Sequence, residues 1–134
     1  MKKLLTDWKP IASDFALLVL RVGVGVAMLT HGYPKFLKVL SGNLSFGDPI
    51  GLGQEASLIL TAFAEFVCSI LLIIGLFTRF ATIPLIITMA VVFFIVHGAD
   101  DFGTREKAFL FLVSYLVLFF TGPGRYSLDK QIFK

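Results

Sequence analysis

Residues 15–36 read FALLVLRVGVGVAMLTHGYPKF. The run is apolar up to Thr30 except for one arginine, Arg21, and it closes in His-Gly-Tyr-Pro-Lys. It has no polar face, so it is not the striped helix of a soluble protein. Its length suits a membrane span, which needs about 20 apolar residues to cross a hydrocarbon core of about 30 Å. The rest of the chain agrees. Of its residues, 57% are hydrophobic and only 16% are charged, against roughly 25% charged in a soluble domain. Fifteen phenylalanines are more than a soluble core of this size can hide. Met-Lys-Lys at the start invites comparison with a cleavable signal. The run that follows is too long for one and ends in bulky residues, so it reads as a retained helix.

Four stretches are apolar enough to cross a bilayer. They are residues 11–32, stopped by Pro34, then 57–77, then 80–98 with Pro84 in its first turn, and a shorter one at 107–121 that could begin near Phe102. Proline lacks the amide donor of a helix interior and is tolerated in a first turn. None of the runs alternates with a period of two, which excludes a β-barrel. The expectation is an all-α fold, a four-transmembrane-helix bundle forming one integral membrane domain over residues 1–134. Residues 33–56 would form a long loop, rich in Gly, Ser, Asn and Asp, suited to a lid, an interfacial helix or a partner contact.

The formal net charge of +3 is read as an orientation signal, and no nucleic-acid partner is expected. Lys2, Lys3, Lys9, Arg79, Arg125, Lys130 and Lys134 fall on one side, and Lys35, Lys38, Arg105 and Lys107 on the other. The imbalance puts both termini in the cytoplasm and the loop outside a bacterial inner membrane. A weak repeat runs through the chain. The first and third spans both end in His-Gly, and the second and fourth end in Thr-Arg and Thr-Gly-Pro-Gly-Arg. Two tandem helical hairpins would give this pattern, and duplication stays open.

Arg21 and Glu65 each sit near the middle of a predicted span. A lone charge at that depth costs roughly 2.5–3.5 kcal/mol on insertion scales. The two are therefore expected to pair, and the planar guanidinium suits a carboxylate. Small residues accompany both: Gly25 and Gly32 on the face of Arg21, and Thr61, Ala62, Cys68 and Ser69 around Glu65. Phe63, Ile70 and Ile74 would face lipid or another helix. The pair could be purely architectural, or it could line a pocket for a headgroup or a proton. His31, His97, Lys35, Asp100 and Asp101 gather at the outer helix ends. The two histidines are read either as interfacial caps or as proton-exchanging donors to a ligand. Their spacing matches no metal motif, so no metal is expected. Tyr115 is expected to donate to a neighbouring backbone, and Cys68 to be a small core residue. Cys68 is the one cysteine, so the chain has no dithiol of its own.

These residues carry a resemblance. LLVLRVGVGVAMLTHGYPKF followed by AEFVCSILLIIGLFTRFAT resembles the DoxX family of small bacterial membrane proteins. The matching features are Arg21, His31-Gly32 and Lys35, then Glu65, Gly75-Leu76 and Thr78-Arg79. Cys68-Ser69 departs from the pattern, where glycines would be expected. The resemblance implies a four-helix membrane protein and, through the family's link to thiosulfate:quinone oxidoreductase, a redox setting.

The combined expectation is a membrane subunit of a redox-linked assembly that holds a quinone or similar lipid-like ligand. Arg21, Glu65, His31, His97 and Lys35 would form the pocket, with no catalytic residue of the chain's own. Any enzymatic role would be that of an accessory subunit to a quinone-linked oxidoreductase. The expected partners are the lipid bilayer, a soluble or membrane oxidoreductase and a second copy in a homodimer. The alternatives are a non-catalytic scaffold for envelope proteins and a small transporter, the latter disfavoured because broken helices are not evident.

Overall fold

The computed structural model of the chain describes residues 5–133. These form four long helices and one short one, with no strand among the described residues. They are α1 (Ser13–Leu40), α2 (Gln54–Ile74), α3 (Thr78–Val96), α4 (Phe102–Thr121) and α5 (Leu128–Ile132). The first three are long and apolar enough to cross a membrane. The fourth matches a span in length but carries Arg105, Glu106 and Lys107 near its start. Large apolar side chains stay exposed on all four, including Val26, Leu60, Ile87 and Phe120. Lipid can cover such a surface and water cannot.

On α1 the buried residues are Arg21, Gly25, Met28 and Gly32, a single stripe at helical spacing. The stripe lies along α2, while α3 and α4 pair closely and α2 and α3 join the two hairpins. The seam between α1 and α4 is thinner. Phe63, Ile70 and Ile74 are exposed, as the sequence predicts, and Cys68 is fully buried.

Three boundaries differ from expectation. Helix α1 does not stop before Pro34 but runs on to Leu40, so the loop shortens to residues 41–53. Proline is tolerated in membrane helices where neighbours take up the freed backbone groups. The carbonyl that Pro34 leaves without its amide donor is that of Thr30, and one residue further on the Lys35 ammonium reaches the His31 carbonyl at 3.5 Å. Beyond the proline, Phe36 stacks on Phe66 at 4.2 Å and holds the extra turns against α2. Helix α3 begins at Thr78, which puts Pro84 in its second turn. Helix α2 stops at Ile74 because Gly75 takes the left-handed conformation (φ 72°), and Leu76 donates to the Leu71 carbonyl at 2.9 Å. That bond is the signature of a Schellman cap.

A π-helical turn interrupts α2, and another forms the last turn of α3. Phe63–Cys68 in α2 and Val92–Val96 in α3 both widen the coil. Such turns are uncommon and recur at functional sites. The first contains Glu65, and the second ends at His97.

The position of α1 against α2 depends on Gly32. A Cβ there would run into the backbone of Glu65 and Phe66. Cys68 and Ser69, the departures from the family pattern, are fully buried without blocking the approach. Of the cations that set the expected orientation, Lys2, Lys3 and Lys134 lie outside the described residues.

Candidate functional site

The expected Arg21–Glu65 pair does not form. Gly32 touches the backbone of Glu65, and Arg21 lies eleven residues earlier on α1, about 16 Å away at 1.5 Å per residue. The expectation of equal depth assumes that α1 ends near Pro34. Because α1 continues, its midpoint shifts away from Arg21.

Arg21 has a different set of partners. It is 1% exposed. Its Nη1 donates to the Pro123 carbonyl at 2.6 Å and its Nη2 to the Tyr126 carbonyl at 2.7 Å. The guanidinium lies against Gly75, where a Cβ would stand 3.1 Å from Arg21 Cζ and 2.5 Å from Ser127 Cβ. The charge therefore satisfies carbonyls of the irregular segment after α4, a strong use of a charged donor. Neighbouring bonds close the same end. Asp129 accepts from the Phe77 and Thr78 amides at 2.7 and 2.9 Å, and the Asp129 amide donates to Gly75 at 2.8 Å. Asp14 accepts from the Arg125 amide at 3.0 Å. Arg21 thus belongs to a clasp at the terminal end of the helices.

Glu65 pairs instead with Lys35, whose ammonium donates to its carboxylate at 2.6 Å. The Glu65 side chain is 4% exposed and that of Lys35 is 25% exposed. Lys35 sits one turn beyond His31, in the part of α1 that continues past Pro34. The proline that was expected to end the helix therefore lies inside the segment that delivers the partner.

The ion pair forms part of the wall of two cavities. One, of about 230 Å³, is bounded by α1, α3 and α4 and includes His31, His97, Arg105, Lys107 and Met89 in its wall. The other, of about 390 Å³, lies under the 41–53 loop and is mostly apolar, with Phe46, Pro49, Ile50 and Leu52 facing Ile87 and Val91. Lys35, Glu65, Val92 and His97 line both. Four of the five expected site residues are thus brought together, and Arg21 is not among them. His97 Nδ1 lies 2.8 Å from an Asp100 carboxylate oxygen, and the His31 ring meets Phe111 edge-on at 6.2 Å. Such an arrangement can hold a molecule with a polar head and an apolar body, and the histidines can exchange a proton with it.

Arg105 and Lys107 enter the sequence reading only as orientation charges. Their place on the first turns of α4, a few residues after His97, is the signal that joins them to the site. Arg105 is held over the Phe93 ring at 4.4 Å and donates from Nη1 to the Phe93 carbonyl at 3.3 Å. Tyr115 is buried on α4, but its hydroxyl finds no partner among the described residues, contrary to the expected backbone bond. Ser57, in the wall of the larger cavity, likewise has a buried hydroxyl without one.

Residues 16–98 match the family model described as DoxX. A protein of Haemophilus influenzae described as uncharacterized is 34% identical over 131 residues, covering 90% of this chain and 92% of the relative. An uncharacterized membrane protein of Mycobacterium tuberculosis is 28% identical over 142 residues, covering 89% of this chain and 82% of the relative. No solved structure matches the chain.

Proposed function

The chain belongs to the DoxX family of membrane proteins, and we propose that it holds a lipid-like ligand as the membrane subunit of a redox-linked assembly. The observation that carries this reading is the Lys35–Glu65 pair, which borders a polar cavity on one side and an apolar chamber on the other. A quinone is the first ligand to test. Lys35 and the two histidines would donate to a carbonyl oxygen, and the chamber under the 41–53 loop would take the tail. The redox setting is supported by the family's link to thiosulfate:quinone oxidoreductase. Electrons would come from a partner oxidoreductase, since the one cysteine is buried. We include in the proposal that α4 is the fourth span, that both termini face the cytoplasm of a bacterial inner membrane, and that a second copy of the chain can complete a dimer.

The test uses purified protein in neutral detergent and titrates decylubiquinone. Saturable binding is expected, weakened at least tenfold when Lys35→Met and Glu65→Gln are combined. Absence of saturable binding to the natural sequence would remove the quinone as the ligand. A scaffold role is supported by a different observation, the clasp around Arg21, which serves architecture alone. It is favoured if ligand binding fails while loss of the chain destabilises a membrane partner.

A further inference from the structure

We infer that the preferred ligand of this site is an amphiphile with an anionic head, a carboxylate or a phosphate, gripped by Arg105 and Lys107. The inference rests on the proposed ligand site and narrows its class. It draws on residues beyond the stretch matched by the family model, which ends at residue 98.

The polar cavity is lined by three basic side chains, Lys35, Arg105 and Lys107, and by two histidines, against one carboxylate, Glu65. Glu65 is taken by Lys35. Among the described residues, neither Arg105 nor Lys107 has a carboxylate within ion-pair distance; the two pairs found are Lys35–Glu65 and His97–Asp100. Glu106, between the two cations in sequence, is exposed and does not line the cavity, and the two acids just before α4 are engaged elsewhere. Asp100 holds His97. Asp101 accepts from the Thr104 hydroxyl at 2.6 Å, a bond that keeps its carboxyl below the ordinary carboxylate range.

Arg105 is also fixed in place before any ligand arrives. Its guanidinium lies over Phe93 and Nη1 is engaged, while Nε is buried and has no protein partner. A buried donor on a charged group is costly to leave unpaired. A carboxylate or phosphate oxygen supplies the missing acceptor, and arginine binds both groups well. The head would therefore sit in the polar cavity. Its chain would pass Lys35 and Val92, which belong to both cavities, into the apolar chamber under the loop. A neutral head would leave Arg105 and Lys107 in the cavity wall without a counterion.

The test compares four probes of one chain length or similar size by native mass spectrometry and calorimetry in neutral detergent: dodecanoate, dodecyl phosphate, 1-dodecanol and decylubiquinone. The anionic probes are expected to bind at least about tenfold tighter than dodecanol, and Arg105→Gln is expected to abolish that margin while leaving dodecanol binding unchanged. Dodecanoate ahead of dodecyl phosphate identifies a free fatty acid as the source. The reverse order identifies a phospholipid headgroup. If Arg105→Gln does not fold, Lys107→Gln, at the exposed rim, is measured instead and should reduce the same margin. Equal binding of dodecanol, or of decylubiquinone, and dodecanoate would overturn the charge preference and leave the site standing. Failure of all four probes would overturn both.

Discussion

The two ends of the molecule use buried charge in opposite ways. At the terminal end, Arg21 is almost wholly enclosed, both its Nη atoms are bound to backbone carbonyls, and its surroundings are chain. At the loop end, the Lys35–Glu65 pair is also close and short, but it borders space on both sides, and unpaired cations stand nearby. A charge enclosed by chain, with both Nη atoms on main-chain carbonyls and no place in either cavity wall, holds the fold even though its Nε, like that of Arg105, finds no partner among the described residues. A charge that faces a cavity among surplus cations is available to something else. Depth in the membrane does not separate the two cases; the identity of the acceptors does.

The sharpest way to break this contrast is to remove the clasp. Arg21→Ala strands two carbonyls and unties the segment after α4, and should lower stability by about 3–5 kcal/mol. Thermal unfolding in detergent reads the loss; a loss below about 1 kcal/mol would mean that the clasp is not structural. Gly32→Ala forces α1 away from the Glu65 backbone and should cost about 2–3 kcal/mol, with any ligand affinity falling in parallel because the ion pair separates. Lys35→Met leaves Glu65 buried without its partner and should cost about 2 kcal/mol, reduced from the usual value because Lys35 is partly exposed. Adding Glu65→Gln should restore most of that loss, and a double-mutant cycle measures the coupling. No recovery in the double variant would place the pair with the clasp rather than the site. Asp129→Ala, which uncaps the start of α3, should cost about 1 kcal/mol and leave ligand binding unchanged.

Much of this was legible in the residues. The stripe Arg21–Gly25–Gly32, the exposed face of Phe63, Ile70 and Ile74, the convergence of His31 with His97, and the membrane character all follow from spacing and apolarity. The pairing of Arg21 did not, because its acceptors are main-chain carbonyls of Pro123 and Tyr126, and any sequence offers carbonyls everywhere. The depth of Arg21 differs from expectation because the usual effect of Pro34 as a helix stop is overridden by the stacking of Phe36 on Phe66. Lys35 reads as a pocket residue from sequence, but its pairing with Glu65 does not, since a residue in a loop over 33–56 would not reach the middle of a neighbouring helix. The π turns carry no compositional mark, and a search at 3.6 residues per turn passes over them.

Those two turns have a consequence for the length of the chain. Each accommodates more residues than an α-helical turn, so the direction in which Glu65 and His97 point depends on how many residues precede them within the coil. Deleting a single position between Phe63 and Cys68 would relax that stretch to α-helix, leave the flanking segments in nearly the same relative rotation, and redirect the side chains inside the turn, Glu65 among them. Both flanking segments would remain helical and apolar, and the protein would still insert, yet the carboxylate would no longer meet the ammonium. A one-residue deletion there should therefore spare insertion and helix packing and remove the ion pair alone.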